Sequence, residues 1–353
     1  MGKIFNYNRR KIAKERLRFF SHEIAIIFLL IFGLLILEWI LLPLIIPQST
    51  ELFGLLFYLI RALILISGIV IVYYFSFRVV NKDSHHTNKE ISPHIGLLRL
   101  YNISKKNYKY QLLYGFLLFF LILIPLEFLI SYFLPMTLEY RATSLVFNLP
   151  NSYLLIDNVI LFMIFSIIIQ LSIAFSEITI FYGFITIRGS EHFNKISAVL
   201  ISTFYFAFTE FFLNPFNFTY PISIGIIWFF KSFIIGLVFS LTTIRRKWLF
   251  PLIFARTFDF VLSSIIIWNY LGGNDFRQLM IFIYSPILVV SLAILILQRS
   301  RIKESLQIGI DLIRSYYKKK SKMDESKADK VFRILFDIFF AFLLFLFGML
   351  ISV

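Results

Sequence analysis

The 353 residues include no cysteine. Disulfides, thiolate metal sites and cysteine nucleophiles are therefore excluded, and the redox compartment leaves no trace in the sequence. Charge is sparse: Asp, Glu, Lys and Arg make up 16% of the chain. No internal repeat is evident, which argues against a transporter built from inverted halves. Histidine occurs only at His22, His85, His86, His94 and His192. None of these lies in the middle of an apolar run. The N-terminus lacks the pattern of a cleaved signal peptide. Its basic region is long, the apolar run after it is about 20 residues, and no small-residue cleavage site follows.

Apolar residues fill the space left by these absences. The hydrophobic fraction is 59%, Phe alone occurs 45 times, and the mean hydropathy is +0.82. A soluble domain of this length could not hide so much apolar surface. The runs predict an all-α, polytopic transmembrane helix bundle of about nine spans: 24–46, 54–79, 110–134, 154–187, 196–213, 222–244, 248–270, 277–298 and 331–352. The fourth is long enough to be tilted or to project beyond the hydrocarbon, and the fifth is short.

The net charge of +15 points to lipid rather than nucleic acid, because the basic residues cluster between the apolar runs. Residues 1–23 carry seven Lys/Arg, 80–109 carry six, 245–247 carry three and 299–330 carry ten. The turn 188–195 adds Arg188 and Lys195. The alternate loops are nearly bare: 47–53, 214–221 and 271–276 have none, and 135–153 has only Arg141. This alternation predicts a cytoplasmic N-terminus, an external C-terminus and a multi-pass protein of the cell membrane.

The chain divides into a basic N-terminus (1–23), a first group of spans (24–152) with the loop 80–109, a core (153–298), a basic segment (299–330) and a last span (331–353). The adjacent His85 and His86, with His94, read as solvated loop residues. Ile302, Leu306, Ile310 and Ile313 recur at helical spacing against a basic face. That pattern predicts a surface-lying amphipathic helix, with Lys318–Lys320 and Lys322 meeting anionic lipid.

Three acids interrupt the core spans: Glu177, Glu210 and Asp259. A carboxylate at mid-membrane costs about 2.5–3.5 kcal/mol on insertion scales, so each needs a partner, a protein interior or a chemical task. Counted from the nearest basic turn at 1.5 Å per residue, they lie roughly 16, 22 and 18 Å deep. Shared depth predicts one polar site. Two bases can balance it: Arg256, an i,i+3 neighbour of Asp259, and Lys231. Helix-locking ion pairs and a functional site are both compatible with this set.

The segment Glu177-Ile178-Thr179-Ile180-Phe181-Tyr182-Gly183-Phe184, the run Ile196–Phe206, and Gly236-Leu237-Val238 with Pro251 carry a resemblance across about 160–270. They resemble the CPBP family, which includes CAAX prenyl endopeptidases and bacteriocin-processing proteases. The family pattern is Glu-Glu, three residues, then Arg-Gly on one helix, Phe-x-x-x-His on the next, and His with Asn or Asp four later on a third. Glu177 aligns with the first Glu, and Asp259 keeps the acid of the third motif. Ile178 stands for the second Glu, Tyr182 for the Arg, Glu210 for one His and Ala255 for the other.

The family uses Glu to activate water and His at a metal or oxyanion site. The resemblance therefore implies catalytic positions at Glu177, Glu210 and Asp259, and a substrate-facing set of Phe181, Tyr182, Phe206 and Arg256. It also implies a diverged centre that is inactive or altered. Zinc draws on Cys and His, so no metal or other cofactor is expected unless the family chemistry is retained. Three functions follow as expectations: a diverged CPBP-like protein binding a membrane-embedded or lipidated peptide, an active peptidase using an acidic site, and a proton- or cation-coupled transporter. Glu38, Arg61, Glu127 and Asp337 lie in spans outside the matched region. They read as inter-helix pairs or snorkelling ends, with Glu38 and Glu127 as the candidate partners of Arg61.

Overall fold

The computed structural model describes residues 2–48, 50–81, 101, 107–146, 149–211, 220–318 and 327–352. Every regular element among them is helical. In lipid, backbone groups must bond within their own segment, and helices apolar all round satisfy that requirement. Among the described residues, eight helices are long and apolar enough to cross a membrane. The chain is a multi-pass, all-α membrane protein.

The first rod is continuous. Helix α1 (Gly2–Phe19) passes through a π-helical turn (Phe20–Ile24) into α2 (Ala25–Ile45). The basic start of the chain is thus part of the bundle and not a separate tail. Its residues Ile12, Arg16, Phe19 and Glu23 recur at helical spacing, and all four are buried. The Arg16 Nε and Nη2 donate to Asp337 Oδ1 at 3.0 and 2.9 Å, and Nη2 also donates to Ser197 Oγ at 3.1 Å.

Helix α3 (Glu51–Asn81) follows, then α4 (Tyr108–Leu118), a second π turn (Phe119–Leu123) and α5 (Ile124–Phe133). The expected bare loop 135–153 instead holds a short helix α6 (Met136–Val146) and a 3₁₀ turn (Leu149–Leu155). Helix α3 packs hard on that turn: a Cβ at Gly54 would overlap the Pro150 carbonyl. Polar side chains tie the same end together. Tyr58 donates to Asn151 Oδ1 at 2.7 Å, Gln170 Nε2 donates to Tyr153 and Ser264 at 2.6 and 2.9 Å, and Trp268 Nε1 donates to the Ile156 carbonyl at 2.8 Å.

The long fourth span resolves into α7 (Val159–Ile178), a π-helical stretch (Thr179–Thr186) and α8 (Ile187–His192). Helix α9 (Lys195–Phe211) is the short fifth span. Its 17 described residues cover about 25 Å at 1.5 Å per residue, and α9 is not among the eight full spans counted in the described residues. Then come α10 (Ile222–Arg246), α11 (Phe250–Leu271), α12 (Phe276–Leu297), α13 (Arg299–Lys318) and α14 (Lys327–Ser352). The segment expected to be amphipathic is helical as α13, with Ile310 exposed. His85, His86, His94, Lys319, Lys320 and Lys322 lie outside the described residues.

The absence of native cysteine makes sidedness directly measurable. Asn274→Cys and Arg246→Cys stand at opposite ends of α11. An impermeant maleimide is expected to label Asn274→Cys from outside intact cells and Arg246→Cys only after permeabilisation. Labelling of both from one side would overturn the sidedness read from the basic loops.

Candidate functional site

Three helices build the site. Glu177 stands at the end of α7, two residues before the π-helical stretch. Widening that stretch to i→i+5 bonding leaves the Phe181 carbonyl to accept from Thr186 Oγ1 at 2.9 Å and from Ser202 Oγ of α9 at 2.7 Å. These bonds fix the rotation of the segment carrying Phe181 and Tyr182. Helix α9 brings Phe206 and Glu210. A Cβ at Gly236 of α10 would stand 3.2 Å from the Phe206 ring and 3.3 Å from Thr203 Cα. Small residues at such contacts allow close helix approach, which here seats Phe206 against the interior. Helix α11 presents Arg256 and Asp259 on one face.

Arg256 joins all three acids. Its Nε donates to Glu177 Oε1 at 3.1 Å and its Nη1 to Asp259 Oδ2 at 2.9 Å, while Nη2 lies 3.5 Å from Glu210 Oε1. The guanidinium sits 4.1 Å from the Phe260 ring centroid and 5.5 Å from that of Phe206. The predicted convergence of Glu177, Glu210 and Asp259 is therefore present, with Arg256 at its centre rather than beside one acid. Burial is graded across the cluster. The side chains of Arg256 and Asp259 are 3% and 6% exposed, whereas Glu177 and Glu210 keep 11% and 16%.

Tyr182 is fully buried, with its ring 5.5 Å from Phe239 and 6.1 Å from Phe206. Its hydroxyl is within electrostatic reach of Glu177, Glu210 and Arg256, yet it has no hydrogen-bond partner among the described residues. A buried hydroxyl without a partner is uncommon and needs an explanation.

Lys231 does not join this cluster. It pairs with Glu127 of α5, whose Oε1 also faces Ser131 Oγ at 3.5 Å. That pair lies within electrostatic reach of Asp259. Arg61 pairs with Glu38 at 3.9 Å and not with Glu127. The inter-helix reading of Glu38, Arg61, Glu127 and Asp337 thus agrees with the contacts they make.

A second charged cluster, which sequence reasoning missed, lies at the basic end. Glu23 accepts from Arg188 Nε at 2.9 and 3.1 Å and bonds His192 Nε2 at 2.6 Å, and Arg188 also pairs with Glu191. The usable signal was the helical spacing from Ile12 to Glu23, which marks one buried face.

The donors present do not suit zinc. Among the described residues, no group of three His, Cys, Asp or Glu side chains is placed to hold a metal ion. Each central carboxylate turns an oxygen toward the guanidinium. Ala255 is fully buried, and its methyl has no lone pair to offer. His192 is engaged with Glu23 instead. No protein-family model matches this sequence, and no curated protein or solved structure shows significant similarity to it.

Proposed function

We propose that this chain is a cell-membrane protein with a CPBP-like core that binds a membrane-embedded or lipidated peptide without cutting it. The observation carrying the reading is Arg256 among Glu177, Glu210 and Asp259. Hydrolysis needs a base free to take a proton from water, within hydrogen-bond reach of that water. Glu177 Oε1 instead holds the guanidinium, which makes this carboxylate a counter-ion of Arg256 and leaves only its second oxygen open. Metal-assisted hydrolysis needs an open coordination position, and here a fixed cation fills the space between the acids. Such a site retains shape, aromatic walls and charge, which serve recognition.

The test uses purified protein and a panel of prenylated and unmodified hydrophobic peptides. Fluorescence anisotropy is expected to show saturable binding of at least one peptide class, with no cleavage product by mass spectrometry and no stoichiometric zinc. Turnover abolished by Glu177→Ala, or one zinc per chain, would restore an active protease. Failure of every peptide to bind would also overturn the reading.

A further inference from the structure

Three carboxylates and one guanidinium leave the central cluster with a formal charge of −2. Neighbouring Lys231 is held by Glu127, and Arg141 reaches Glu127 and Asp259 but is not among the charges acting on Glu177. Arg256 meets one oxygen of each acid, and no described side chain bonds the second oxygen of Glu177 or Glu210. Those two carboxylates are also the parts of the cluster that stay partly exposed. Within electrostatic reach of both lies the Tyr182 hydroxyl, fully buried and without a hydrogen-bond partner among the described residues. Acid excess, open oxygens and an idle hydroxyl thus belong to one cluster.

We infer that this cluster binds a primary ammonium, supplied by a lysine side chain in the apolar segment of the bound peptide. The inference rests on the peptide-binding reading above and names the feature that reading would recognise. An ammonium carries three N–H donors and no acceptor. Glu177, Glu210 and the Tyr182 oxygen offer three acceptors. The positive charge offsets half of the formal excess. Phe206, already facing the Arg256 guanidinium, adds an aromatic wall of the kind that favours cations. A guanidinium on the ligand fits less well, because its flat fork prefers two coplanar oxygens of one carboxylate. A lysine in an apolar segment is costly in lipid, so a site that accepts it discriminates strongly against segments without one.

The test places the full chain in phosphatidylcholine nanodiscs and titrates N-acetylated apolar peptides that differ at one central position. The lysine peptide is expected to bind about tenfold more tightly than the glutamine or acetyl-lysine peptide, the scale of one hydrogen bond to a charged group. Glu210→Gln should bring the ratio close to one. Tyr182→Phe, which keeps the ring and its packing, should lower it by a few-fold and guards against misfolding of the charge variant. Equal binding of the three peptides to the native protein overturns the ammonium inference and leaves the peptide-binding function standing. Absence of binding by all three in a preparation that binds no other peptide overturns both.

Discussion

Arg256→Ala is expected to destabilise the folded protein by about 3–5 kcal/mol, the range seen when one partner of a buried pair is removed. Arg256 is 3% exposed and contacts three carboxylates on three helices. Its loss leaves Glu177 and Asp259 without the donors they now have, in a region where water is scarce. Arg256→Lys should cost less, since charge is kept, but a compact ammonium cannot reproduce the fork that reaches all three acids. Combining Arg256→Ala with Glu177→Gln and Asp259→Asn should recover part of the loss. Equilibrium unfolding in mixed micelles measures each step, and an Arg256→Ala variant as stable as the native protein would remove the pairing role.

Lys231→Met is expected to cost a similar amount, about 3–5 kcal/mol, through a different helix pair. Lys231 and Glu127 join α10 to α5, and both side chains are nearly sealed. The isolated Glu127 carboxylate, not the lost attraction, dominates the penalty. Lys231→Met together with Glu127→Gln should therefore be much milder than the single change. A double-mutant cycle should return a coupling of about 1–3 kcal/mol. Additive losses would show that the two charges are energetically independent.

The sequence reading located much of this site because lipid makes polar residues conspicuous. Glu177, Glu210 and Asp259 stood out by interrupting apolar runs, and similar depth followed from residue counts at a fixed rise. Helix rotation did not follow. Counting places Arg256 one turn from Asp259 but says nothing about which way α7 and α9 turn their acids, so the three-way engagement was invisible. Lys231 looked equally available, and only packing assigns it to Glu127. The π-helical stretch over Thr179–Thr186 also escaped, because the Phe181 carbonyl it frees is met by a hydroxyl of another helix, Ser202, as well as by its own Thr186. Arg16 was hidden for the opposite reason. Among basic residues at the membrane edge a buried arginine looks ordinary, and its partner lies 321 positions away.

That separation has a consequence for biosynthesis. Ribosomes add roughly 5–20 residues per second, so an interval on the order of 15–60 s divides the emergence of Arg16 from that of Asp337 at those rates. The rod that carries Arg16 is thus made long before its buried partner Asp337, with only the neighbouring Glu15 carboxylate at hand. Until α14 arrives, Glu15 and then Ser197 are the side chains of this contact set that can meet the guanidinium. Glu23 can meet Arg188 and His192 earlier, so this rod is fastened in two steps, and the second reports that the chain has been read through to residue 337.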